Sequence, residues 1–156
     1  MGRQAPMLAL QQLSHDGVST CAVIRVKPLG ARVDEGLAAA ALACRPTLAE
    51  HACKQRGFGR FGDGLLGTTL PHLVEHIALD LLVEDVRTAG GGEDGGVPSP
   101  PLCAPIVLPI AGNTVWADRR QGLMKVRVSA GTPSAAAAAA AALRRAVTLV
   151  NDLLAH

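Results

Sequence analysis

Apolar and polar positions divide the chain into short extended runs and longer helical ones. Cys21-Ala-Val-Ile-Arg-Val-Lys27 is apolar, β-branched and stopped by Pro28-Leu-Gly30, which predicts a strand. Met7–Leu13 before it fits strand or helix, with a turn over Ser14-His-Asp-Gly17. Val33 to Cys44 is alanine-rich and carries Asp34 and Glu35 at its start, where carboxylates favour a helix amino end. Arg45-Pro46 should break that helix, with a second short helical piece from Thr47 to Lys54. Arg56–Gly64 is glycine-rich and reads as a loop. It leads into a helix from about Leu70 to Arg87, capped by Thr68 or Thr69, with Pro71 in the first turn where its missing N–H does no harm.

Farther on, Ala89 to Pro101 is rich in glycine and proline and predicts a surface loop. Strands are expected over Ile106–Ile110 and Met124–Ser129, with a third around Asn113-Thr-Val-Trp116. Ser134 should cap a long helix running through the Ala135–Ala142 stretch to Leu154. The expected class is therefore α+β (α/β-like): one domain over residues 1–156, a small mixed sheet packed by a buried central helix and a long C-terminal helix.

Composition narrows the function classes. Of 156 residues, 49% are hydrophobic, yet tyrosine is absent and Phe58, Phe61 and Trp116 are the only aromatic side chains, so the core must rely on close helix packing. With 15 basic and 13 acidic residues the net charge is only +2, and the basic residues are scattered. Neither nucleic acid nor an anionic membrane is expected as a partner. No apolar run reaches the ~18 residues of a membrane span. Cys21, Cys44, Cys53 and Cys103 form no C-x-x-C pair and no signal peptide is evident, so a cytoplasmic location is expected. Self-association as a homo-oligomer is left open.

Candidate chemistry concentrates on the central helix. At ~100° per residue His72, Glu75 and His76 share a sector of roughly 100°. Histidines at i and i+4 can direct ring nitrogens at one ion ~2 Å away. The order H-x-x-E-H is the inverse of the H-E-x-x-H zincin motif and occurs among metal-hydrolase signatures. His72 and His76 are thus candidate ligands for a divalent metal, with zinc expected, and Glu75 a candidate general base. Leu73, Val74, Ile77, Ala78, Leu79, Leu81, Leu82 and Val83 leave the helix apolar on nearly every side, so all three should be buried. A metal would give them a common partner. Asp80, rotated roughly 40° beyond His76, is the preferred third ligand; Glu84, His51 and Cys53 are alternatives. H-x-x-E-H also arises by chance, and Glu75 paired with a histidine would then be a core network.

Gly67-Thr-Thr-Leu-Pro-His-Leu-Val-Glu-His-Ile-Ala-Leu-Asp-Leu81 resembles a segment of the amino-terminal domain of cyanophycin synthetase. There Gly-Thr precedes His-x-x-Glu-His and Ala-Leu-Glu-Leu follows. His51-Ala-Cys53, the glycine-rich loop, Gly112-Asn-Thr114 and Gly122–Val128 are similar to further pieces of that family, and the alanine-rich helix fits its end. The family polymerises aspartate and arginine with an ATP-grasp and a Mur-ligase-like domain. This sequence has no G-x-x-x-x-G-K-[ST] loop and is too short for both, so synthetase activity is not expected of it alone. What the resemblance implies is polymer binding or, as in some members, metal-dependent cleavage of the polymer, with His72 and His76 as ligands and Glu75 as base. Asp80 replaces a glutamate of the pattern, Asn113 an arginine, and Ser129 stands where an acidic residue is common.

Two functions follow. One is a zinc-dependent peptidase or amidase acting on a peptide or amino-acid polymer, with Arg56 and Arg60 available to meet a carboxylate. The other is a non-catalytic binding or scaffolding module for a polymer or a ligase partner.

Overall fold

The computed structural model describes residues 7–54, 57, 59–89, 111–129 and 133–156. Two strands open the chain, β1 (Leu8–Asp16) and β2 (Ser19–Val26), joined by a tight hairpin at Gly17-Val18. Gly17 has φ +72°, a left-handed value that glycine adopts without a Cβ penalty. Met7–Leu13, ambiguous in sequence, is resolved as strand from Leu8. The turn expected from Ser14 starts only at Gly17, because Ser14, His15 and Asp16 pair with Cys21, Thr20 and Ser19.

Strands β3 (Ala111–Asp118) and β4 (Leu123–Ser129) form a second hairpin, and β4 docks on β2 to give the order β1-β2-β4-β3. Every pairing is antiparallel, so the sheet expected to be mixed has one sense of pairing among the described strands. Period-two alternation sets its faces. Thr20, Ala22, Ile24 and Val26 join Met124, Val126 and Val128 on the buried side, while Lys125 and Arg127 remain exposed on the other. The strand expected over Ile106–Ile110 and the loop expected past Ala89 fall on residues 90–110, outside the described residues.

The helices cover the inner face. Helix α1 (Glu35–Cys44) starts where Asp34 accepts a hydrogen bond from the Leu37 amide at 2.8 Å. Arg45 closes it, and Pro46–Glu50 follows as a 3-10 helix, shorter than the helical piece expected to Lys54. It ends because Ala52 bridges antiparallel to Arg60 instead. Within the glycine-rich loop, Phe61–Gly64 makes one helical turn, α2. The central helix α3 (Leu70–Ala89) lies over β3 and β4, beside α4 (Pro133–Leu154), which lies over β1 and β2. The α4 helix begins one residue before the expected cap, Ser134.

Alanine explains the intimacy of the two long helices. Ala139, Ala142 and Ala146 are fully buried between Leu143, Val147 and Val150, and small side chains let axes approach closely. Asn151 of α4 pins the start of β1, accepting from the Leu8 amide and donating to its carbonyl. Leu73, Val74, Ile77, Ala78, Leu81 and Leu82 bury α3 as its pattern predicts. No described helix is long and apolar enough to cross a membrane.

Candidate metal centre

The first two turns of α3 set the site. Thr69 caps the helix, its hydroxyl accepting from the His72 amide, while Thr68 takes a different role: its hydroxyl lies 2.6 Å from His72 Nδ1. That contact turns the other ring nitrogen, Nε2, toward Cys53 Sγ at 3.6 Å. Cys53 arrives on a local fold-back of the chain. Its amide donates to the Gly59 carbonyl and the Phe61 amide donates to His51, so residues 51–53 run antiparallel to 59–61. Gly62 makes this fit possible, since a Cβ there would stand 2.8 Å from the Ala49 carbonyl oxygen.

The fold-back also seats Phe61 against both histidines, whose own rings meet with centroids 4.9 Å apart. Its ring stacks on His76 with centroids 3.7 Å apart and 14° between planes, and meets His72 edge-on at 5.2 Å. Phe61 is thereby a wall of the site and restricts both imidazoles.

Cys53, His72 and His76 are all buried, and one ligand atom from each lies within 4.8 Å of the other two. A thiolate and two imidazoles are donors suited to zinc, and three protein ligands leave a fourth tetrahedral position for water or substrate. The group opens on a cavity of about 480 Å³ lined also by Glu75, Lys54, Leu79 and Asn113. Burial, together with the neighbouring His72 and His51, pushes His76 down to about 3. The imidazole is therefore neutral at physiological pH, the form that ligates metal.

Glu75 stands beside this group without belonging to it. Its carboxylate accepts a hydrogen bond from Thr114 of β3, and Gly112 packs so closely on it that a Cβ would come within 2.5 Å of Oε1. Burial raises the carboxyl to about 7, against the lowering effect of the Thr114 hydroxyl. A carboxyl poised near neutrality on a cavity wall can accept and return a proton.

Asp80, the preferred third ligand from sequence, is engaged elsewhere. Its carboxylate accepts from Arg45, from Thr47 at 2.6 Å and from His51 Nε2 at 3.0 Å. Burial alone would raise it, but these hydrogen bonds and the Arg45 charge hold it below the usual carboxylate value. The position beside the two histidines belongs to Cys53, one of the alternatives. Of the others, Glu84 accepts from Arg45 at 2.7 Å, and His51 sits between His76 and Asp80. Arg60 pairs with exposed Glu50, and Arg56 lies outside the described residues.

Sequence reasoning missed Phe61, Thr68, Gly112 and Thr114. The signals available were Thr68, four residues before His72, and the Gly112-Asn-Thr114 stretch of the family resemblance. Comparison of the chain with protein-family models, curated proteins and solved structures finds no match in any of the three.

Proposed function

We propose that the chain is a zinc-dependent hydrolase of a peptide or peptide-like amide bond. The supporting observation is the convergence of Cys53, His72 and His76 on a cavity wall with the separate carboxylate of Glu75 beside them. Zinc held there would supply Lewis acidity toward the scissile carbonyl and its attacking water. Glu75 takes the proton from that water and passes it to the leaving amine. Thr114 and Gly112 hold the carboxylate in place, and Lys54 and Asn113 are polar groups that an incoming substrate meets. The two segments similar to the cyanophycin synthetase amino-terminal domain, Gly67–Leu81 and Gly112–Thr114, touch at Glu75, so a polymer of aspartate and arginine is the first substrate to test. Free Cys21, Cys44 and Cys53 agree with a cytoplasmic location.

One observation favours the non-catalytic binding module. Thr114 donates a hydrogen bond to Glu75, and Cys53 meets His72, so the cluster can also stand as a core network. Zinc content of wild type, Glu75→Gln and His76→Ala, with cleavage assays on the same samples, separates the two. Wild type and Glu75→Gln should hold about one zinc per chain and His76→Ala none. Cleavage by Glu75→Gln should be slower by about 10²–10⁴-fold. If all three stay metal-free after zinc is offered, the hydrolase reading fails and the binding module replaces it.

A further inference from the structure

A line of hydrogen-bonding groups runs from the Asp80 network to the metal centre. Asp80 Oδ1 lies 3.0 Å from His51 Nε2, and His51 Nδ1 lies 3.2 Å from His76 Nδ1. The far end is anchored: Thr47 and Arg45 donate to the same carboxylate, and Arg45 also donates to Glu84. We propose that Asp80, acting through His51, holds His76 as the Nδ1–H tautomer and so presents its Nε2 lone pair to the metal. His51 and Asp80 are then positioning residues. The inference rests on the metal centre proposed above and adds what orients one of its ligands.

The direction of each bond follows from the chemistry of the groups. An ionised carboxylate only accepts, so His51 Nε2 must carry the hydrogen. With His51 neutral, its ring has one donor and one acceptor, which leaves Nδ1 as an acceptor. The nitrogen facing it, His76 Nδ1, must therefore donate. Nε2 is then the nitrogen of His76 with a free lone pair. Metal-bound histidines commonly give their second N–H to a carboxylate or carbonyl, which fixes ring and tautomer. Here the carboxylate acts one ring farther away. His72 is arranged in parallel, with Nδ1 on Thr68 and Nε2 toward Cys53.

The test reads the tautomer directly, by two-bond ¹H–¹⁵N correlation spectra of the histidine rings in the metal-free protein, at a pH where the same spectra show His51 neutral. His51→Leu removes the acceptor. His51→Gln restores the polarity, because its amide oxygen can accept from His76 while its NH₂ donates to Asp80. Wild type and His51→Gln should carry the His76 proton on Nδ1, and His51→Leu should shift it to Nε2. Zinc affinity, measured by chelator competition, should fall about 10–100-fold in His51→Leu and stay within a few-fold of wild type in His51→Gln. A wild type protonated on Nε2 overturns the proposal without need of any variant. So does a His51→Leu protein that keeps the wild-type tautomer and affinity. If wild type shows the Nδ1 proton yet takes up no zinc, the metal reading falls and the positioning role falls with it, while the hydrogen-bond chain stands.

Discussion

Two carboxylates on α3, Glu75 and Asp80, expose similarly little surface, 5% and 7%, yet their electrostatics run in opposite directions. Asp80 receives hydrogen bonds from Arg45, Thr47 and His51 and is held below the ordinary carboxylate value. Glu75 receives one among the described residues, from Thr114, and burial raises it to about 7. Burial alone thus does not decide what a carboxylate is for. Three donors make Asp80 a fixed anion that ties α1, the 3-10 helix and α3 together. A single hydroxyl leaves Glu75 able to change protonation next to three side chains that could hold a metal.

The largest expected effect is on stability. Asp80→Ala takes the shared acceptor from Thr47 and His51 and leaves Arg45 with Glu84 alone among the described residues, and should cost about 3 kcal/mol in denaturant unfolding. Glu75→Gln, measured metal-free near neutral pH, should cost under about 1 kcal/mol or stabilise, since it removes a poorly compensated buried charge. Equal costs for the two variants would break the comparison.

A pH series sharpens it, because the signs oppose. The folded value of Glu75 lies above its ordinary 4.5, so its contribution to stability is full below 4.5 and lost as pH rises through about 7. Metal-free wild type should therefore lose about 3 kcal/mol relative to Glu75→Gln across that window. The folded value of Asp80 lies below its ordinary 3.8, so its advantage over Asp80→Asn is full above 3.8 and lost as pH falls through the folded value. Urea unfolding of each pair against pH measures both slopes.

Two smaller effects probe what holds the metal-side cluster. Gly112→Ala drives a Cβ into Glu75 and should cost about 1–3 kcal/mol in thermal unfolding. Phe61→Leu keeps an apolar wall but loses the stack on His76, an effect of about 1 kcal/mol in thermal unfolding. A Phe61→Leu protein with unchanged zinc affinity would limit the ring to packing alone.

The same contrast explains what can be read from the chain. Strands β2 and β4 and helices α1 and α3 follow from local patterns: alternation, an Asp34 cap, and an apolar helix carrying His72, Glu75 and His76 on one side. Helical angle also places Asp80 near His76, which makes it the natural third ligand on paper. Angle says nothing of Arg45 and Thr47, which reach Asp80 from 35 and 33 residues away. Nor does it show the antiparallel fold-back at Ala52 and Arg60 that delivers Cys53 and Phe61. Thr114 and Gly112 meet Glu75 through packing of β3 on α3, across 39 residues in the case of Thr114. Local periodicity marked the helix that bears the site; the neighbours that assign each side chain its role come from distant segments.

The most direct measurement is the absorption spectrum of the cobalt(II)-loaded protein for wild type, Cys53→Ser and Asp80→Asn. Ligation by Cys53 with His72 and His76 requires a thiolate-to-cobalt charge-transfer band in wild type and in Asp80→Asn, and its loss in Cys53→Ser. A wild type without that band, or a Cys53→Ser spectrum identical to wild type while Asp80→Asn no longer binds cobalt, would contradict the assignment and return Asp80 to the metal.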